Sequence, residues 1–324
     1  MKSERQRKDK GKTKERQRKG KEKAKERQRK GQGKEEEKDM KVRILGTGAA
    51  EGIPALFCRC SVCENAGKLA GKDIRTRSGV MINDTVLIDF SPDMLWNSRR
   101  FRLHLWNVTD LLITHSHADH LSAVSLALRK PEDYCMMPKG IGKLKIHCSE
   151  QSERRIREEV CFDGSDAEEF LYFERLNMFR SFSIRQLVCT PLPAVHSAGA
   201  EQCCVFLIRE GGHTFFYGTD SAEYPELTKE FLKEQHLDAV VFDCTFGALT
   251  DRNRCRSHMN MDICRDVFCE LKESGAVTKN TKCYLTHFSH FCGMLHSELE
   301  DEAMKRGFHA AYDGLEISLG DKQT

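Results

Sequence analysis

Nowhere in the 324 residues does an apolar run approach the roughly 18 needed to cross a bilayer, and the N-terminus carries charge where a secretory leader needs apolar residues. From those absences neither a helical membrane protein nor an exported one is expected, and a cytoplasmic chain is. Phosphate-cradling glycine motifs are missing too. The stretch G-T-G-A-A-E-G-I-P supplies Gly46, Gly48 and Gly52 for tight turns, but it has neither the G-x-G-x-x-G order nor a G-K-[ST] ending. Net basic charge is lacking from most of the chain. Residues 1–40 hold 18 of the 52 Lys+Arg and 9 of the 49 Asp+Glu, so residues 41–324 carry 34 against 40, a net of −6. A body of that sign offers no general surface for a nucleic acid.

The basic excess sits in an N-terminal tail built on E-R-Q-R-K, which recurs from Glu4, Glu15 and Glu26. An 11-residue period is compatible with a helix, but no position of the repeat is apolar, so no face can be buried. Residues 1–40 are therefore expected to be a disordered, low-complexity basic tail. Its alternative role is weak binding of RNA, a membrane surface or an acidic partner through Arg and Lys. The folded domain is expected over 41–324. The 15 cysteines are scattered through a large chain, a distribution that suits reduced thiols and a metal site in a reducing cytosol better than a disulfide scaffold.

Metal chemistry is concentrated in L-L-I-T-H-S-H-A-D-H, residues 111–120. A short apolar strand ends there in three histidines and an aspartate. His115 and His117, two apart, can point the same way from an extended loop, while Asp119 and His120 follow where the chain turns and can face a second ion. An all N/O donor set favours a hydrolytic centre over a thiolate structural one. Cys58, Cys60 and Cys63, spaced C-x-C-x-x-C, read as three ligands of a tetrahedral zinc whose fourth comes from elsewhere. Further candidates follow other apolar strands: His196 after V-C-T-P-L-P-A-V, Asp220 after H-T-F-F-Y-G-T, and His287 and His290 in C-Y-L-T-H-F-S-H. His258, in R-S-H-M-N-M-D, precedes a helix starting near Met261. Arg75, Arg77 and Ser78 form a candidate phosphate grip.

Between these residues the pattern alternates strand and helix. Strands are expected from Lys41 and over Gly79–Ile82 and Val86–Phe90, the latter two joined by an Asn83-Asp84 turn. A helix capped by Ser91-Pro92-Asp93 should run from Met94 to Leu103, another over Leu121–Leu128 and a third over Glu150–Val160. Strands are expected at Leu111–Thr114, Leu144–Cys148, Phe170–Phe173 and Phe182–Cys189. Sheets covered by helices follow, an α/β sandwich.

With these pieces in view the chain resembles the metallo-β-lactamase superfamily, whose H-x-H-x-D-H motif is matched by His115, His117, Asp119 and His120. Within it the chain looks most like the phosphoribosyl 1,2-cyclic phosphate phosphodiesterases of the carbon–phosphorus lyase pathway. The cysteine cluster, T-P-L-P, V-F-D-C, S-H-M-N-M-D, T-H-F-S-H and Y-D-G-L-E-I carry that likeness from about Lys41 to Leu319. The resemblance implies an αββα sandwich and a dinuclear site. One ion would be held by His115, His117 and His196, a second by Asp119, His120 and His287, with Asp220 bridging. A structural zinc would take Cys58, Cys60, Cys63 and His290. It also implies His258 and Asp119 as catalytic residues, manganese, zinc or iron as the two catalytic metals, a small phosphodiester as substrate, and room for a homodimer. Two other functions share the frame: a tRNA 3′-end endonuclease, and a non-catalytic metal-stabilised protein of the pyrroloquinoline quinone biosynthesis B type.

Overall fold

The computed structural model describes residues 39–131, 134–161, 166–196 and 199–320; the E-R-Q-R-K repeats of the expected tail lie outside them. Two seven-stranded sheets make the frame. The first holds β1 (Met40–Gly46), β2 (Gly79–Ile82), β3 (Val86–Ile88), β4 (Asp110–Leu112), β5 (Leu144–Cys148) and β6 (Leu171–Arg175), and the second holds β7 (Phe182–Ile184), β8 (Leu187–Pro193), β9 (Cys204–Glu210), β10 (His213–Gly218), β11 (Ala239–Asp243), β12 (Lys282–Thr286) and β13 (His309–Ala310). β14 (Glu316–Leu319) returns to the first sheet and pairs antiparallel with β1, Met40 opposite Leu319. The strand orders are β14-β1-β2-β3-β4-β5-β6 and β13-β12-β11-β10-β9-β8-β7.

Among the described residues the α-helices are α1 (Ser61–Leu69), α2 (Met94–Arg100), α3 (Ala123–Leu126), α4 (Glu150–Val160), α5 (Glu226–Lys233), α6 (Met261–Glu273) and α7 (His296–Met304). The period-2 alternation of the strands sorts their side chains into layers. Phe215 and Tyr217 of β10 face Val80, Ile82 and Ile88 of the other sheet, while Phe216 between them points outward to Leu232 of α5 and Cys264 of α6. On the opposite side Leu87 and Ile146 pack against Met94, Leu126 and Ile156 of α2, α3 and α4. Helix, sheet, sheet and helix thus bury three cores, the αββα sandwich expected from the sequence.

Local departures have local causes. The strand expected over Phe182–Cys189 is two strands, because Arg185 adopts φ +54° and turns the chain into a hairpin. Helix α2 stops at Arg100 instead of Leu103, since Arg102 lies at φ +54°. Asp93 occupies the position before α2, but its carboxylate is taken by Arg77 at 2.8 and 2.7 Å and makes no cap. The helix expected over Leu121–Leu128 is shorter, one α turn followed by a 3₁₀ turn over Ala127–Arg129. The Asn83-Asp84 turn forms as expected, both residues at positive φ.

Strands β3 to β6 run parallel, as do β10 to β13. Parallel neighbours put their carboxyl ends on one edge, and the loops that leave those ends carry the candidate ligands.

Candidate metal centres

The loop leaving β4 is fixed first by a buried carboxylate. Asp89 accepts from the Thr114 amide at 2.9 Å and from the Thr114 hydroxyl, and lies 2.6 Å from His120 Nδ1. Engaging Nδ1 orients the His120 ring so that Nε2 faces Asp220 at 2.8 Å and Asp119 at 3.3 Å. His287, at the end of β12, is set the same way. Its Nδ1 lies 2.8 Å from the Thr245 hydroxyl and its Nε2 lies 3.0 Å from Asp220. His196 has Nδ1 3.0 Å from the Ser257 carbonyl and Nε2 3.0 Å from His117 Nδ1, and His115 stacks edge-on to both.

Two groups result, His115, His117 and His196, and Asp119, His120, Asp220 and His287. Within each, the candidate ligand atoms all lie within 4.8 Å of one another. Asp220 faces both: its Oδ2 points at His120 and His287, its Oδ1 lies 3.7 Å from His196. The Nε2 atoms of His115, His120 and His287 are buried and make no well-formed hydrogen bond, the last two facing only carboxylate oxygens. Buried polar atoms are nearly always satisfied. The unsatisfied His115 nitrogen beside His117 and His196, and the His120 and His287 nitrogens crowded onto Asp119 and Asp220, fit a pair of divalent ions.

The electrostatics agree. Burial would raise the carboxyls of Asp119 and Asp220, yet His120 beside them holds both well below the usual carboxylate range. Burial opposes a charge on His120, but Asp220, Asp119 and Asp89 raise its pKa well above the usual value. Desolvation pushes His115 and His196 down, so both stay neutral and keep a lone pair for an ion. A divalent cation would take the place of the proton on His120, so loading should release protons.

His258 sits at the rim. Its Nδ1 lies 2.9 Å from Asp243, its ring stacks on His287, and its side chain is 21% exposed. Burial would lower its pKa, but Asp243 and then Asp220 raise it to about 9. Asp243 also accepts from the Asp220 amide at 3.1 Å and the Met259 amide at 3.0 Å. Neither Asp243 nor Asp89 is among the candidates drawn from spacing. Both end an apolar strand, V-V-F-D and V-L-I-D, which is the signal that Asp220 also gives.

The thiols assemble separately. Cys58 and Cys60 sulfurs lie 3.5 and 3.4 Å from His290 Nδ1, and Cys63 completes a group within 4.8 Å. Burial would raise the Cys60 thiol, but the Cys63 amide and His290 bring it down to about 6, toward the thiolate a zinc takes. A cleft of about 720 Å³ opens beside this group, walled in part by Glu51, Phe57, Arg77 and Phe291. The candidate phosphate grip does not form. Arg75 is buried, donating to Thr47 and the Ala311 carbonyl at 2.7 Å, Arg77 is spent on Asp93, and Ser78 is fully buried. The other histidines stand apart, as His147 does between Asp110 and Glu174.

Residues 84–288 match the family described as the beta-lactamase superfamily domain. Solved structures share the fold. A diphosphatase of the PhnP family is 22% identical with a TM-score of 0.67, covering 87% of this chain and 98% of its own. Zn²⁺-bound PqqB from Methylobacterium extorquens is 18% identical at 0.64, covering 86% and 100%. The short form of human tRNase Z is 17% identical at 0.58, covering 86% and 99%. A curated protein named octanoyltransferase, from Porphyromonas gingivalis strain W83, is 23% identical over 301 residues, 87% of this chain; the chain spans about half, 52%, of that protein.

Proposed function

The chain belongs to the beta-lactamase superfamily, and from that premise we propose that it is a dinuclear metal-dependent phosphodiesterase acting on a cyclic phosphodiester. The observation that carries this is the convergence of the His120 and His287 Nε2 atoms on the Asp220 carboxylate beside the His115, His117 and His196 cluster, with a separate, protonatable histidine at the rim. His115, His117 and His196 would hold one ion and Asp119, His120 and His287 the other, with Asp220 between them. Nitrogen and oxygen donors admit manganese, zinc or iron. Cys58, Cys60, Cys63 and His290 would hold a structural zinc.

Such ions, when bound, supply Lewis acidity toward a phosphoryl oxygen and acidify a water. The chain's own residues do the rest. Asp119, kept ionised by His120, is a carboxylate ready to orient an attacking water. With Nδ1 given to Asp243, His258 keeps Nε2 to deliver a proton to the departing oxygen, since an unprotonated alkoxide leaves poorly near neutral pH. In a five-membered cyclic phosphate that oxygen stays attached, and the ring opens to a monoester. The substrate we favour is 5-phosphoribosyl 1,2-cyclic phosphate, giving ribose 1,5-bisphosphate.

The substrate so proposed is a small phosphodiester met in the cytoplasm; among the described residues no helix is long and apolar enough to cross a membrane. Metal quantification with a panel of cyclic ribose phosphate, a bis-aryl phosphate and precursor tRNA tests the proposal. The expected result is about three ions per chain, one of them resistant to chelation, with fastest turnover of the cyclic ester. Precursor tRNA as the preferred substrate would favour an endonuclease, and a single zinc with no diester cleavage would end the enzymatic proposal.

A further inference from the structure

We infer that Glu201 is a positioning residue that binds the loop of His115 and His117 to the loop of His196, and so sets the affinity of the ion those three would hold; this rests on the metal-site proposal above. Glu201 lies in the connection between β8 and β9 and is 7% exposed. Its Oε2 accepts from the Ser116 amide at 2.8 Å and the Ser116 hydroxyl at 2.5 Å. Its Oε1 accepts from the Ser149 hydroxyl and, at 2.8 Å, from the Ser152 hydroxyl.

Ser116 is the residue between the two motif histidines. Its amide is held by Glu201 and its carbonyl accepts from Arg155 of α4, so the backbone joining His115 to His117 is gripped at both ends. Ser149 caps α4, accepting from the Ser152 amide at 3.0 Å. The carboxylate therefore also rests at the N-terminal turn of an 11-residue helix, where free amides favour an anion.

Glu201 shares its loop with His196. That loop is closed by the Ala194 amide on the Cys203 carbonyl at 3.1 Å, and tied to the first by the Cys204 amide on the Thr114 carbonyl at 3.0 Å. One carboxylate thus gathers the motif loop, the start of α4 and the His196 loop. The 3.0 Å approach of His196 Nε2 to His117 Nδ1 lies between the two loops it joins. Burying a carboxylate is costly unless its lone pairs are filled, and here four donors fill them. An apolar side chain here would leave the Ser116 amide and the three hydroxyls without their acceptor.

The test uses full-length protein with Glu201→Ala, Glu201→Gln and Arg155→Met. Zinc affinity is read by competition with a chelator, and amide exchange over residues 115–120 is read in the metal-free protein. In Glu201→Ala one catalytic ion should bind on the order of 10–100-fold more weakly while the others stay, and exchange should speed up without metal. Glu201→Gln should recover most of the protection, because its carbonyl still accepts from the Ser116 amide. Arg155→Met should weaken the same ion to a lesser degree. Unchanged affinity and exchange in folded Glu201→Ala would overturn the inference; if that variant does not fold, unchanged affinity in Arg155→Met would do so. Should the unaltered protein bind no catalytic ion, the metal proposal fails, while exchange in the metal-free variants still decides whether Glu201 is the clamp.

Discussion

At the scale of the residue, the dense motif was readable because four donors fall within six positions, and single donors were readable where they followed apolar strands. What spacing cannot carry is a residue's partner. Asp89 and Asp243 are lone carboxylates in sequence and become the anchors of His120 and His258 only once strands from distant parts of the chain are adjacent. Arg75 shows the converse: its charge suggested a phosphate, and folding spends it on Thr47, Ala311 and His296. Two predictions belong here. His258→Ala should lower turnover by on the order of 10²–10⁴ with all metals retained, as measured by kinetics and metal content together. Full activity would remove His258 from the chemistry. His296, beside Arg75 at 3.1 Å, has its pKa pushed by burial and by Arg75 from 6.5 down to about 4. The unfolded chain then binds more protons between those values, so this stability is complete above about 6.5 and is lost as pH falls toward 4. Melting temperatures at pH 7.5 and 5 should therefore drop further for the unaltered protein than for His296→Gln.

Elements were legible where periodicity was strong and blurred where one backbone angle decided. The apolar strands around β1 to β4 and the amphipathic α4 read directly. The break at Arg185 did not, because an arginine at positive φ leaves no trace in composition. The segment joining β12 to α7 shows why ligand order matters. It places His287 in the group with Asp119, His120 and Asp220, and His290, three residues on, in the thiol group. The Gly46–Cys63 segment is stitched to it by the Ala49 amide on the Phe288 carbonyl at 3.0 Å and the Phe288 amide on the Thr47 carbonyl at 2.9 Å. Gly46 permits that path, since a Cβ there would lie 2.0 Å from the Arg77 carbonyl oxygen. Loss of the zinc proposed for the thiol group should then displace His287. Cys60→Ala is expected to bind one ion fewer and to lose on the order of 10–100-fold in turnover, and normal turnover with the zinc gone would show the two groups to be independent.

For the whole molecule, alternating strands and helices announced a sandwich, but not which strand lies beside which. That order follows from burying three apolar layers at once, a demand no local window expresses. The acidic body and basic tail make a prediction at this scale. Removing residues 1–38 should leave kcat/KM for a small cyclic ester within about twofold, and should abolish any salt-sensitive retention of RNA, both measured on the same preparations. A large loss of small-ester turnover would give the tail a part in catalysis. The pairing of β1 with β14 has a consequence for synthesis. Among the described strands β1 is made long before its partner β14 and must wait beside an open edge, so a nascent chain stopped before Glu316 would present Met40–Gly46 to any passing strand or chaperone.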